Sequence, residues 1–148
     1  MPLSNGRGEF GTVVRLAAAE ATRCRPVAPR GVPAYARGMT GHEVLDEAQL
    51  EDELARLPEW RHRAGGLATV YRLPSSAAAL EFIAAVGEIA EDMVHHPDLD
   101  WRYRRVFVRF STHDAGGAVT AKDVEAAHRV TLRAAALDAV AEPERYPE

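Results

Sequence analysis

The sequence predicts an α+β domain in which an antiparallel sheet carries helices packed on one face. Three observations favour this class: the helical segments are amphipathic, the strand segments are short and alternate apolar with polar residues, and two of them flank a Gly-Gly turn. Short amphipathic strands leave one sheet face for helices and the other for solvent or association. The predicted order is helix, hairpin, helix, strand, helix, without an internal repeat.

Capping and turn signals predict the first helix and the hairpin. Asp46 and Gln49 have the spacing of a capping box, and leucines at i, i+4 and i+7 then form one apolar face of a helix that ends before the next proline. Residues 60–63 and the strand-like residues 67–73 flank the Gly-Gly turn. Two short runs around such a turn predict a β-hairpin.

The second half of the chain predicts a long helix, a strand and a final helix. Ser75 is the expected N-cap of a helix whose apolar stripe runs to a His-His-Pro motif, where the proline ends it. Residues 105–112 alternate as a half-buried antiparallel strand does. Thr120 and Asp123 form a second capping box, which leads a helix to about residue 140. We expect the proline-containing chain end to be loose.

Length and composition suit one globular domain and exclude several classes of protein. The chain has 148 residues, 47% of them hydrophobic, and a formal net charge of −4, which argues against a generic nucleic-acid binder. Its single cysteine, Cys24, excludes a disulfide framework. No apolar run approaches the roughly 20 residues of a membrane-spanning helix, and no secretory signal pattern is present. We therefore expect a cytoplasmic protein that binds neither nucleic acid nor a membrane.

Residues 1–38 differ from the remainder of the chain. They hold six arginines against Glu9 and Glu20, and glycines and prolines interrupt them throughout. Few large apolar side chains offset the cost of ordering this backbone, so we expect a flexible arginine-rich arm. Contact with an anionic partner is the alternative. Because the regular pattern begins at Met39, an over-extended start is a further hypothesis, and the folded domain is expected over residues 39–148.

Three histidines are the candidates for chemistry. His95 and His96 lie in the loop that leaves the second helix, and His113 follows the last strand. Both places are element ends, where side chains can converge on a ligand. Glu91 lies one helical turn before His95 and could share its side of the helix end. Since the unperturbed pKa of histidine is about 6.5, such a group can give and take a proton near neutral pH.

Other roles for these histidines stay open from the spacing alone. A single histidine is more often structural or solvated, and three histidines can bind a catalytic zinc ion. Adjacent side chains rarely face one metal, however, and no His-Glu-x-x-His or Cys-x-x-Cys motif is present, so we expect no metal. Asp123 is interpreted as a helix-capping residue. His42 and His62 are interpreted as solvated, and His128 as a core or interface residue.

Four short motifs carry a family resemblance. Residues 91–98 read E-D-M-V-H-H-P-D, residues 112–114 read T-H-D, residues 57–60 read L-P-E-W and residues 120–123 read T-A-K-D. In this order they resemble the pterin-4a-carbinolamine dehydratases. The resemblance covers about residues 45–140, and the combination of the first two motifs is the specific part.

The resemblance implies a lyase, 4a-hydroxytetrahydrobiopterin dehydratase, that removes water from a 4a-hydroxytetrahydropterin to give the quinonoid dihydropterin. This step regenerates the pterin after turnover of an aromatic amino-acid hydroxylase, and it needs neither a metal nor a cofactor. By analogy, His96 and His113 are the acid/base candidates, and His95 assists binding or proton transfer. Glu91 would orient a histidine or bond the pterin. The implied substrate contacts are Glu91, Pro97 and Asp114.

The resemblance also implies a four-stranded antiparallel sheet with three helices, in the order α-β-β-α-β-β-α, and a homodimer or homotetramer. Residues 98–103 would form the added edge strand. The chain departs from the family pattern at Val94, where many members carry an acidic residue, at Glu59, which replaces a glycine, and in a longer turn before Thr120. A non-catalytic binding, dimerisation or assembly module is the alternative, and the retained histidines favour the enzyme.

Overall fold

The α+β class is confirmed by the computed structural model, which describes residues 43–148; the predicted arm and His42 lie outside these residues. The helices are α1 (Glu47–Arg56), α2 (Ser76–Met93) and α3 (Ala121–Ala136). The strands are β1 (Arg61–Arg63), β2 (Gly66–Arg72), β3 (Asp98–Arg102), β4 (Arg105–Phe110) and β5 (Val140–Ala141). Single 3-10 turns span His113–Ala115 and Pro143–Arg145. None of the helices in this part of the chain is long and apolar enough to cross a bilayer.

The sheet is antiparallel throughout, with the strand order β1-β2-β4-β3. The predicted hairpin is β1 and β2, and β4 pairs along the other edge of β2. The edge strand that the family resemblance implies is β3, which within residues 43–148 pairs with β4 alone. Beyond the implied four strands, the two-residue β5 pairs with the end of β2. The sheet is therefore one short strand larger than expected.

The predicted capping signals start all three helices. At α1, the Asp46 side chain accepts a hydrogen bond from the backbone N–H of Gln49 at 2.8 Å, and the Gln49 side chain accepts one from the Asp46 N–H. The Ser75 hydroxyl oxygen accepts from the N–H of Ala78 at α2. Thr120 and Asp123 form the same reciprocal box at α3. Each side chain satisfies a backbone donor that has no partner within its helix.

The hydrophobic core lies between the three helices and one face of the sheet. Alternation along the strands directs Tyr71 of β2 and Phe110 of β4 into it, where both are fully buried. The Phe82 ring of α2 meets the Tyr71 ring edge-on at 5.3 Å, and Trp60 packs on Phe110 at 6.0 Å. Partly buried leucines of α1 pack against the same cluster. The helices thus cover one face of the sheet, as predicted.

The end of the chain differs from the prediction in two ways. Helix α3 ends at Ala136, not near residue 140, because Asp138 adopts a left-handed conformation with φ of +53°. The N–H groups of Asp138 and Ala139 then bond back to the carbonyls of Ala135 and Ala134, which is a Schellman motif. The chain beyond this point is not loose. It forms β5, and the N–H of Glu142 donates to the Val70 carbonyl at 2.7 Å.

Candidate active site

A cleft of about 370 Å³ opens where the end of α2 meets the turn that follows β4. This volume lies within the range of about 300–1,000 Å³ that is usual for small-molecule sites. The lining includes five of the six predicted site residues, which are His95, His96, Pro97, His113 and Asp114. The sixth, Glu91, lies on the last turn of α2, beside this cleft. Tertiary structure therefore brings together two segments that are separated by a whole hairpin.

The backbone at the end of α2 presents the histidine pair. Val94 adopts a left-handed conformation with φ of +48° and ψ of +49°. The N–H of His95 bonds to the Ala90 carbonyl at 2.9 Å, and the N–H of Val94 bonds to the Glu91 carbonyl. This Schellman motif reverses the chain directly before the two histidines. A β-branched residue rarely adopts this conformation, so the turn is strained at the entrance to the site.

His95 is the buried member of the pair. Its side chain is 9% exposed, and its ring stacks on Phe110 at 5.6 Å. Nε2 of His95 lies 2.7 Å from a carboxylate oxygen of the fully buried Asp123. Because a carboxylate can only accept, Nε2 carries the hydrogen of this bond. The orientation and the tautomer of the His95 ring are therefore fixed from α3.

Asp123 is the centre of a buried hydrogen-bond cluster beneath the cleft. Its second carboxylate oxygen accepts from the Thr112 hydroxyl at 2.8 Å and from the N–H of Thr120 at 2.7 Å. Burial alone would raise the pKa of Asp123. The bonds from His95, from the Thr120 backbone and from Thr112 outweigh burial and hold this pKa below its usual value. Asp123 is thus ionised as well as buried, and it anchors both the helix start and His95.

His96 is the exposed member of the pair. Its Nε2 atom lies 2.8 Å from a carboxylate oxygen of Glu91, and the two side chains are 61% and 80% exposed. The sequence suggested that Glu91 shares a side of the helix end with His95. The structure pairs Glu91 with His96 instead, because the left-handed turn sends His95 into the core and returns His96 over the last helical turn.

His113 approaches the cleft from the opposite segment. It begins the 3-10 turn His113–Ala115, is exposed, and follows the buried Thr112. Gly116 and Gly117 have φ of +70° and +84°, values that suit glycine, and they close this turn before α3. The N–H of Gly117 bonds back to the Thr112 carbonyl at 3.0 Å. The longer turn noted in the sequence, residues 115–119, therefore follows directly on the 3-10 turn that begins with His113.

Lys122 is a cleft residue that the sequence analysis did not single out. It is the only lysine of the chain, and its Nζ atom donates to the Val94 carbonyl at 2.9 Å. This bond ties the start of α3 to the strained turn before the histidines. Asp123 was identified only as a capping residue, which is correct but incomplete. The overlap of a capping box with the T-A-K-D motif was the available signal for both residues.

The remaining histidines lie apart from the cleft. His62 is exposed on β1, and His128 is partly buried in α3 with an Nε2 atom that has no hydrogen-bond partner within residues 43–148. Over the same residues, no group of three or more histidine, cysteine, aspartate or glutamate side chains is arranged to hold a metal ion. The arrangement at the cleft is thus one buried, oriented imidazole and two exposed ones.

Comparisons with known proteins identify sequences that are similar to this chain. A family model described as "Pterin 4 alpha carbinolamine dehydratase" matches residues 43–132. A Streptomyces coelicolor protein, provisionally named as this dehydratase, is 46% identical over 88 residues, covering 60% of this chain and 87% of that protein. A Roseiflexus castenholzii protein with the same provisional name is 38% identical over 87 residues, covering 59% and 92%.

A solved structure agrees at the level of the fold. The crystal structure of a "transcriptional coactivator/pterin dehydratase" from Brucella melitensis is similar with a TM-score of 0.59 at 26% identity, covering 62% of this chain and 99% of that one. The match of the family model spans β1 to β4, all of α2 and the histidine cleft. The chain therefore belongs to the pterin 4 alpha carbinolamine dehydratase family.

Proposed function

We propose that this protein dehydrates a 4a-hydroxytetrahydropterin to the quinonoid dihydropterin by histidine acid/base catalysis. The observation that carries the proposal is the convergence of His95, His96 and His113 on one cleft. Family membership supports dehydratase chemistry. The specific substrate and the catalytic roles of the histidines are part of this proposal.

The proposed reaction needs two proton transfers on a flat heterocycle. The C4a–O bond breaks, the leaving hydroxyl takes a proton and departs as water, and the ring system releases a proton. His96 and His113 are both exposed at the cleft, so one can donate while the other accepts. The Glu91 carboxylate lies 2.8 Å from Nε2 of His96 and orients the ring of that residue at the cleft. Either histidine can serve as the acid under this scheme.

The other site residues act through position. His95, held by Asp123 and stacked on Phe110, offers a ring of fixed orientation that can bind the substrate or relay a proton. Pro97 and Asp114 line the cleft and are proposed to contact the pterin, with Glu91 at its margin. Preorganised groups of this kind lower the activation free energy more than mobile groups do, because little entropy is lost in orienting them during the reaction.

The biological setting is proposed on the same basis. The step would regenerate a pterin cofactor for an aromatic amino-acid hydroxylase in the cytoplasm, without a metal or a cofactor of its own, with residues 39–148 as the acting domain. A homodimer or homotetramer is proposed as the working form. Strand β3 supports this, because all five of its residues are exposed at the sheet edge and Leu99 and Trp101 are among them.

The test is turnover of 4a-hydroxytetrahydropterin, generated in situ, by the full-length chain. We expect turnover above the spontaneous rate, and a loss of about 10²-fold or more in His96→Ala and in His113→Ala. His62→Ala is the matched control, since His62 is an exposed histidine outside the cleft. All three variants should keep the wild-type unfolding temperature. Wild-type protein that is folded but no faster than the spontaneous reaction would refute the proposal.

A non-catalytic module is the second candidate. The Brucella melitensis relative favours it, because that protein is described as a transcriptional coactivator as well as a pterin dehydratase. Folded wild-type protein without turnover would support this candidate. Turnover that depends on His96 and His113 would instead support the enzyme.

A further inference from the structure

The face of the sheet opposite the helices has an apolar centre. Strand alternation places Ala68 and Val70 of β2 on this outer face, together with Phe107 of β4, which is the direct cross-strand partner of Val70. These residues are 0%, 0% and 7% exposed, although none belongs to the hydrophobic core cluster. Something other than the three helices therefore covers them.

Arginines surround this apolar centre. The same alternation and register bring six arginines from strands β1 to β4 to the outer face: Arg61, Arg63, Arg72, Arg102, Arg105 and Arg109. The strands supply only two carboxylates to this face, Asp98 and Asp100. The guanidinium of Arg102 lies over the Phe107 ring at 4.5 Å from its centroid. The outer face is thus an apolar patch inside a basic rim.

The C-terminal segment, residues 140–148, lies on this face and complements it. It begins as β5 beside the end of β2. The Glu142 carboxylate accepts from Arg72 at 3.0 Å and from Arg105 at 2.7 Å. The bond from Arg105 is the main reason that the pKa of Glu142 is lowered. One carboxylate therefore links two strands of the basic rim.

The next two alternate residues continue this complementarity. The Glu144 carboxylate accepts from Arg61 and from Arg63, both at 2.8 Å. The Tyr146 ring packs on Phe107 with centroids 6.1 Å apart, and the Tyr146 carbonyl accepts from Arg63 at 2.8 Å. Residues 142–146 therefore bind as a Glu-x-Glu-x-Tyr pattern: two carboxylates meet pairs of arginines, and one aromatic ring covers the apolar centre.

The C-terminal segment can detach from the outer face while the sheet stays folded. Strand β5 has only two residues, and the Glu144 side chain is 64% exposed. Ion pairs at such exposure contribute about 0–1 kcal/mol each. The segment also lies beyond residue 132, where the match to the family ends. A short, polar, added segment of this kind belongs to the low-stability end of a structure.

We propose that the outer sheet face is a peptide-binding surface for an acidic partner segment with Glu-x-Glu-x-Tyr spacing, and that residues 140–146 occupy it in the free protein as an exchangeable ligand. The partner chemistry is given by the segment already seated there: carboxylates two residues apart and an aromatic side chain two residues further on. None of the residues that hold this segment lines the histidine cleft, and the inference does not depend on the proposed dehydratase activity.

The test weakens the internal segment and offers the same segment as a separate peptide. The protein is the full-length chain with Glu142→Gln, Glu144→Gln and Tyr146→Ala, and the probe is a fluorescent peptide of residues 139–148. Because a tethered segment competes at millimolar effective concentration, wild-type protein should bind the peptide at least about tenfold more weakly than this variant. Binding to the variant should weaken as the salt concentration rises. It should also be lost for a peptide with both glutamates changed to glutamine.

Two outcomes would overturn the proposal. One is a variant with wild-type circular dichroism that binds the acidic peptide no better than its glutamine version. The other comes from hydrogen exchange on the wild-type chain, which needs no variant to fold. We expect the amide hydrogen of Glu142 to exchange at least about 100-fold faster than the amide hydrogens bonded between β2 and β4, because the C-terminal segment should open locally. Equal protection of the two would mean that the segment is a fixed part of the fold.

Discussion

Replacing Asp123 by asparagine probes the buried cluster that holds His95. The carboxylate accepts three short bonds from buried donors: His95 Nε2 at 2.7 Å, the Thr112 hydroxyl at 2.8 Å and the Thr120 N–H at 2.7 Å. Asparagine has nearly the same shape but offers only one acceptor oxygen, so at least one of these donors loses its partner. Since a hydrogen bond to a charged group contributes about 1.5–3 kcal/mol, we expect the free energy of unfolding at pH 7 to fall by that amount.

The pH dependence gives this prediction a definite sign. Burial alone would raise the pKa of Asp123, but the bonds from His95, Thr120 and Thr112 lower it overall in the folded chain. A carboxyl group whose folded pKa is depressed stabilises the protein above its unfolded pKa of about 3.9, and this contribution is lost as the pH falls through the folded pKa. The difference between wild type and Asp123→Asn should therefore be full at pH 7 and should shrink below about pH 4.

Urea denaturation followed by circular dichroism, at pH 7 and at pH 3.5, measures both quantities. Asp114→Asn is the control, because Asp114 is an exposed carboxylate in the same cleft and should change stability by less than about 0.5 kcal/mol. If Asp123→Asn were as stable as wild type, or if its deficit were the same at both pH values, the buried carboxylate would not be supporting the fold as argued.

Two further substitutions test local features. Val94→Gly should raise the free energy of unfolding by about 0.5–1 kcal/mol in urea titrations. The left-handed conformation costs a β-branched residue about 1–2 kcal/mol, and the greater entropy of glycine in the unfolded chain offsets part of the gain from removing that cost. An unchanged or lower stability would contradict strain at this turn. Thr131→Val removes the hydroxyl that lies 2.9 Å from Trp60 Nε1 and 3.1 Å from the Tyr71 hydroxyl. It should lower stability by about 1–3 kcal/mol in thermal or urea unfolding, whereas Thr131→Ser should retain most of it.

Local signals in the sequence were sufficient for most of the elements. Capping boxes at Asp46 and Thr120, the alternation of residues 105–112 and the turn at Gly65 depend on neighbours within a few positions. Each appears in the structure, although the strand ends at Phe110, two residues earlier than predicted. The position of the histidines at element ends is also a local property. The predicted end of α3 was wrong because the local signal was missing there. Asp138 takes the left-handed position that glycine usually occupies after a helix, so no glycine marked the end of α3.

The sequence by itself thus determined the fold class, the helix starts and the two segments that carry the candidate histidines, because short-range spacing encodes them. Tertiary structure alone decided which groups meet. Asp123 reaches His95 across 28 positions, Glu91 pairs with His96, and Glu144 meets Arg61 across 83. Such contacts depend on sheet register and on how a turn directs each side chain. Neither is set by nearby residues, which is why the buried support of the cleft and the covered outer face emerge only once the chain is folded.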